Sequence, residues 1–189
     1  MSTAMPDTEN VMRPLSEISA GLSKLGLQTH LLPGGETAQD QPDQLLLGLG
    51  QDYRQRDQIL TMLYQNDIWR RQGIDAPDTP CVYVLVMQLP FQAPTDRGLD
   101  VAEFLDSLNR LLGAGQILLL PDGQLHLRYH WMLEAFDWTL LPLVDWLDMT
   151  AFYLNHATEP LEQICLGSLS GAQAVTALER KLGDLLREA

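Results

Sequence analysis

The chain has little positive charge and an excess of acid. Twelve of its 189 residues are Lys or Arg and 25 are Asp or Glu, which gives a formal net charge of −13 at pH 7. A field of that sign repels phosphate backbones and anionic lipid surfaces. We therefore expect neither nucleic acid nor a membrane surface among its partners.

Cysteine is also scarce. Cys81 and Cys165 are the only two, and each lies in an apolar run, so they are typical of buried, reduced thiols rather than of a disulfide framework.

Residues 1–10 lack the basic start and apolar segment of a secretory signal. No apolar run approaches the ~18 residues of a membrane span. These features together predict a cytoplasmic protein.

The motifs of nucleotide and metal sites are missing. Gly48-Leu49-Gly50 and Gly113-Ala114-Gly115 lack the third glycine of a dinucleotide loop, and the chain has no phosphate-loop GK[ST] element. His126 and His130 share one face of a predicted strand. At ~3.3 Å per residue they lie ~13 Å apart, too far to hold one metal unaided. The sequence predicts no cofactor and no metal site.

No catalytic residue is predicted either. Neither cysteine has a local partner that would activate it as a nucleophile. The alternative is an enzyme whose site lies around the polar face of strand 124–132, where His126, Arg128 and His130 point the same way.

Four arginines form a modest basic neighbourhood in this acidic chain. Arg54, Arg56, Arg70 and Arg71 are candidates for contact with an anion or an acidic peptide. Ordinary ion pairing at the surface is the favoured interpretation, because short charge clusters carry little information.

The hydrophobic pattern predicts an α+β fold in one domain over residues 13–189, after a disordered tail at 1–12. We expect a largely antiparallel sheet with helices packed on one face, and a loop over 66–80. Pro90 and Pro94 are expected to end the strand before them. The predicted strands are 27–32, 45–49, 58–64, 81–89, 116–120 and 124–133. The predicted helices are 14–26, 101–112, a long one from Asp137 to Asn155 or, with a kink at Pro160, to Leu166, and a C-terminal one at 172–187.

The most informative stretch is 129–179. It contains no Lys or Arg, seven acids and three of the four tryptophans. Its long helix is apolar over much more than one ~100° stripe, so one sheet face cannot cover it. Either helix 172–187 or another protein chain must do so. The candidate protein-interaction residues are Trp131, Trp138, Leu141, Trp146, Phe152 and Tyr153.

Five features over about residues 13–166 form a recognisable order. They are the strand pair around 51–57, the apolar strand 81–89 that ends in Leu89-Pro90-Phe91, the helix with Leu108-Asn109-Arg110, the strand-turn-strand around Asp122-Gly123, and the long acidic helix. This order resembles the YbjN-like family, which shares its fold with class I type III secretion chaperones. The extra C-terminal helix and the 66–80 connection depart from the family pattern.

This resemblance implies a protein that acts by binding rather than by catalysis. Chaperones of this fold dimerise and bind an extended segment of an effector, and YbjN-like proteins are associated with stress and sensory regulation. We expect a non-enzymatic, chaperone-like or regulatory protein that binds a protein partner or forms a homodimer through its sheet and long helix. A structural subunit of a larger assembly is the other alternative.

Overall fold

The computed structural model describes residues 15–35, 41–75, 81–133 and 139–188. The tail predicted at 1–12, the predicted helix start at Asp137, and Trp138 lie outside them. The elements in chain order are α1 (Leu15–Lys24), β1 (Thr29–Leu32), β2 (Gln44–Gln51), β3 (Asp57–Tyr64), α2 (Gln65–Arg71), β4 (Cys81–Gln92), a 3₁₀ turn (Thr95–Arg97), α3 (Gly98–Leu111), β5 (Gln116–Leu119), β6 (Gln124–Leu133), α4 (Leu141–Cys165) and α5 (Gly171–Glu188).

The strands form one six-stranded sheet in the order β1-β2-β3-β4-β6-β5, and every neighbouring pair is antiparallel. The predicted α+β class is therefore confirmed. β4 lies between β3 and β6 and also contacts α2 and α4, and its residues 81–85 are all buried. The register sets Tyr64, Tyr83 and Trp131 side by side across three strands, with ring centroids 5.3 and 5.6 Å apart.

One face of the sheet packs against α1, α3 and α4 and forms the hydrophobic core. The alternation in β6 follows the prediction, since Leu125, Leu127 and Trp131 are buried while Arg128 and His130 are exposed. Helix α5 packs on α3 and α4 rather than on the sheet, and it adds a further layer. No helix within the described ranges is both long and apolar enough to cross a membrane.

The predicted loop over 66–80 is wrong in its first part, because Gln65–Arg71 forms α2. Contacts with other parts of the chain and within the helix hold this short helix. The buried Asn66 accepts the backbone N–H of Val82 at 3.0 Å, and Arg71 Nε bonds Asp67 Oδ2 at 2.8 Å. The first contact joins residues sixteen apart, which local periodicity does not predict.

Two prolines do not end the elements that contain them. Pro90 lies inside β4, which continues to Gln92 across a shift in register between Gln88 and Gln92. Proline is tolerated at such an irregularity because it has no ladder hydrogen bond to donate there. Pro160 lies inside α4, which runs on to Cys165, in agreement with the longer of the two predicted helices.

Candidate functional site

Two of the candidate interaction residues belong to the core. Trp131 and Trp146 are each only 4% exposed. Trp146 stacks on Tyr129 with centroids 4.3 Å apart, and its Nε1 donates to the carbonyl oxygen of Ala114 at 2.9 Å. The packing of this chain alone accounts for both tryptophans. As candidates for contact with a partner, they present almost no surface.

The other described candidates reach the surface of α4. Leu141 is 58% exposed, Phe152 is 44% exposed and Tyr153 is half-buried. The ring of Phe152 meets the rings of Tyr153 and His156 edge to face, at 5.4 and 4.7 Å between centroids. Helix α5 covers part of the apolar surface of α4, as one of the two alternatives predicted. It leaves a strip with Leu141 and Phe152 uncovered.

A groove of about 700 Å³ lies beside this strip, between α3, α4 and α5. We call it the three-helix groove. Its apolar lining includes Leu111 of α3, Phe152 of α4, and Val175, Leu182 and Leu185 of α5. The α5 residues recur at helical spacing and form one stripe along the groove. The groove is therefore an apolar surface that the fold itself leaves open.

The three-helix groove has acidic side chains in its lining and beside it. Arg110 lies in its lining but forms an ion pair with Asp106 one turn earlier in α3. Glu179 lies in the same lining, and the exposed Asp148 and Asp145 lie about one and two turns before Phe152 on the same side of α4. Among the described residues, no cation lies within ion-pair distance of these last three carboxylates. The groove thus offers an apolar floor with uncompensated acids near it.

Two of the candidate arginines bind an anion that belongs to this chain. Arg56 donates to the buried Glu162 of α4 at 2.9 and 3.3 Å, Tyr53 donates its hydroxyl to the same carboxylate, and Arg54 Nε lies 3.3 Å from it. The other nitrogen of Arg56, Nε, bonds the buried Asp52 at 2.7 Å. These bonds fasten the β2–β3 turn to α4.

Electrostatics favour the ionised carboxylates in this cluster. Burial by itself would raise the pKa of Glu162, but the hydrogen bonds from Tyr53 and Arg56 outweigh it, so the pKa lies below its usual value. Burial would also raise the pKa of Asp52, but backbone and side-chain hydrogen bonds from Arg56 outweigh burial, so this pKa is lowered. Sequence reasoning could not pair Glu162 with Arg56, because the two residues lie 106 positions apart. Asp52 lies only four residues before Arg56, but the sequence pattern does not show that the two are bonded.

The other two arginines lie in a different element. Arg70 and Arg71 are in α2, where Arg71 bonds Asp67 and donates to the carbonyl oxygen of Gly35 at 3.1 Å. Arg70 lies on the exposed side of that helix. The four arginines are therefore divided between two elements, the β2–β3 turn and α2.

The polar face of β6 shows contacts between its own side chains. His126 Nε2 lies 3.1 Å from Gln124 Oε1, and Arg128 Nη2 donates to His130 Nε2 at 3.3 Å. Burial lowers the pKa of His130, and the charge of Arg128 lowers it further. In the part of the chain that the structure describes, no three His, Cys, Asp or Glu side chains come together as a metal site would require.

Comparison with known proteins does not place this chain in a family. No protein-family model, no curated protein and no solved structure matches the chain. The interpretation of the three-helix groove therefore depends on its own geometry and chemistry.

Proposed function

We propose that this chain is a non-enzymatic protein-binding protein, chaperone-like or regulatory and of the YbjN-like type. It binds its partner through the exposed strip of α4 and the adjoining three-helix groove. The observation that carries the proposal is Phe152, an aromatic side chain 44% exposed at the edge of an open apolar groove. Exposed apolar patches rimmed by polar residues are typical of interaction sites.

The aromatic group at the groove is also held in place before any partner arrives. Phe152 packs against Tyr153 and His156 on its own helix. Contacts of this kind restrict the conformations of the ring, and a side chain with fewer conformations loses less entropy when it is immobilised on binding. The position of Phe152 therefore favours a role as an anchor for a partner.

The test compares two matched surface variants with the wild-type chain. Phe152→Glu places a charge at the groove, whereas Met132→Glu places one on the far sheet face, at a methionine that is 66% exposed. Circular dichroism and thermal unfolding first show that both variants fold. Each protein then captures partners from native lysate at low and high salt, and the retained protein is purified and recombined with each variant.

We expect wild type and Met132→Glu to form a complex of defined stoichiometry in size-exclusion chromatography with light scattering. Phe152→Glu should lose it, because a charge at the anchor must be desolvated when the partner binds. A folded Phe152→Glu variant that binds like Met132→Glu would refute the proposal, and so would a wild-type chain that retains no protein.

A further inference from the structure

We propose that the three-helix groove binds an amphipathic helix that carries apolar side chains on one face and Lys or Arg beside them. This inference rests on the proposed function and names the chemistry of the partner. The shape of the groove, a glycine in its wall and the charges beside it support this partner.

The length of the groove suits a short helix. Its lining on α5 extends from Val175 to Leu185, ten residues apart, which corresponds to about 15 Å at ~1.5 Å per residue. A partner helix of about three turns would present side chains at i, i+4 and i+7 over that distance. Apolar side chains in those positions would bury Phe152 and the stripe of α5.

The wall of the groove contains a residue that permits close approach. Gly183 lies in the interior of α5 and lines the groove, and a Cβ built on it would meet nothing within 4 Å. Glycine in a helix interior costs about 1 kcal/mol relative to alanine. Packing within the described chain does not require its small size, whereas a helix lying in the groove would use the space.

The charges select a basic partner. Asp145, Asp148 and Glu179 have no cationic partner among the described residues, and the whole chain has a net charge of −13. Lys or Arg beside the apolar face of an incoming helix would neutralise these acids. Complementary charge of this kind selects the partner and speeds association. An acidic helix would meet like charge instead.

The same charges disfavour a second copy of this chain. In a two-fold symmetric contact the same patch serves both subunits, so a patch that carries Asp145 and Asp148 would meet an equally acidic patch. A small apolar ligand could fill the floor of the groove but would leave the acids unused. Its affinity would also be nearly independent of salt.

The experiment uses the full chain and two synthetic peptides of about 14 residues with the same leucine spacing. One peptide carries lysine beside the leucines and the other carries glutamate. Fluorescence anisotropy measures both affinities at low salt and at about 0.5 M salt. We expect the lysine peptide to bind at least about tenfold more tightly at low salt, with a smaller ratio at high salt.

Groove variants distinguish the apolar contribution to peptide affinity from the contribution of charge. Phe152→Ala and Gly183→Leu should each weaken the lysine peptide by about tenfold or more, since one removes the anchor and the other occupies the groove. Asp145→Asn with Asp148→Asn should reduce the preference for lysine over glutamate. Met132→Ala and Asp96→Asn change exposed residues elsewhere and should bind as wild type does.

Equal affinity for the two peptides would overturn the inference, as would unchanged binding by the folded Phe152→Ala and Gly183→Leu variants. A wild-type chain that is a dimer and becomes a monomer on Phe152→Glu would assign the groove to a second copy instead. If the lysine peptide does not bind but partner capture is still lost in Phe152→Glu, the basic-helix inference fails while the proposed function stands. If both fail, both are refuted.

Discussion

The side-chain amide of Asn109 bonds both backbone polar groups of Ile117. Its Oδ1 accepts the Ile117 N–H at 2.7 Å and its Nδ2 donates to the Ile117 carbonyl oxygen at 3.0 Å. Ile117 lies in β5, the strand at one edge of the sheet. An open edge is a template for pairing with another chain. Asn109 of α3 therefore occupies, at this residue, the hydrogen bonds that an additional strand would use.

Replacing Asn109 with Ala should destabilise the fold and uncover this edge. Two partly buried backbone groups would lose their partners, which costs about 1–3 kcal/mol. Urea unfolding measures the loss, and hydrogen exchange at Ile117 should accelerate. Asn155→Ala is the matched control because Asn155 is an exposed asparagine in a helix. Equal stability of the two variants would show that the Asn109 amide contributes nothing to the sheet edge.

The sequence predicted the parts of the fold that depend on local patterns. The turn at Pro121-Asp122-Gly123 is present, and Gly123 has the positive φ of 82° that such a turn requires. The alternation in β6 and the continuous burial at the start of β4 also follow from residue order alone. Helix α2 was missed because a distant contact, Asn66 with Val82, stabilises it.

The candidate site could be predicted only in part, for a different reason. An apolar pattern shows that a residue is covered but not by what, so Trp146 and Phe152 looked alike in the sequence. The structure buries Trp146 under β6 and leaves Phe152 at the open groove. The groove exists because α5 rests on both α3 and α4, and sequence periodicity does not specify that placement.

Stability at acid pH should depend on Glu162. Its folded-state pKa and that of Asp52 lie below their usual values, so the stabilisation is complete above the unfolded pKa, near pH ~4, and is lost as the pH falls through the folded pKa. In Glu162→Gln this acid-side loss should shrink. Stability at pH 7 should fall by about 1–3 kcal/mol, because hydrogen bonds are lost to arginines that are themselves partly exposed. Urea unfolding measures both effects between about pH 2.5 and about pH 7, a range that includes the usual pKa of carboxyl groups. Asp96→Asn, at an acid whose side chain is 80% exposed, is the control, and a parallel pH profile for the two variants would refute the role of Glu162.

Two glycine-to-alanine substitutions should shift stability in opposite directions. Gly183→Ala adds a methyl group in open space within α5 and should stabilise the fold by about 0.5–1 kcal/mol. Gly167, just after α4, has a φ of +75°, and a Cβ there would lie 2.9 Å from Arg97 Nη2. Gly167→Ala should therefore destabilise by about 1–2 kcal/mol. Thermal and urea unfolding compare the pair, and the same sign for both would contradict the backbone geometry.

Cys165 should react only when the chain opens. It is 8% exposed, and burial raises its pKa to about 11, with the charge of Glu162 adding to the effect. At pH ~8 almost none of it is thiolate, the form that attacks a disulfide reagent. In a Cys81→Ser background, which isolates Cys165, labelling of the native protein by an aromatic disulfide should be slow. The rate should rise with urea in step with global unfolding. The same variant unfolded in urea provides the fully reactive reference, and rapid labelling without denaturant would show that Cys165 is accessible in the native state.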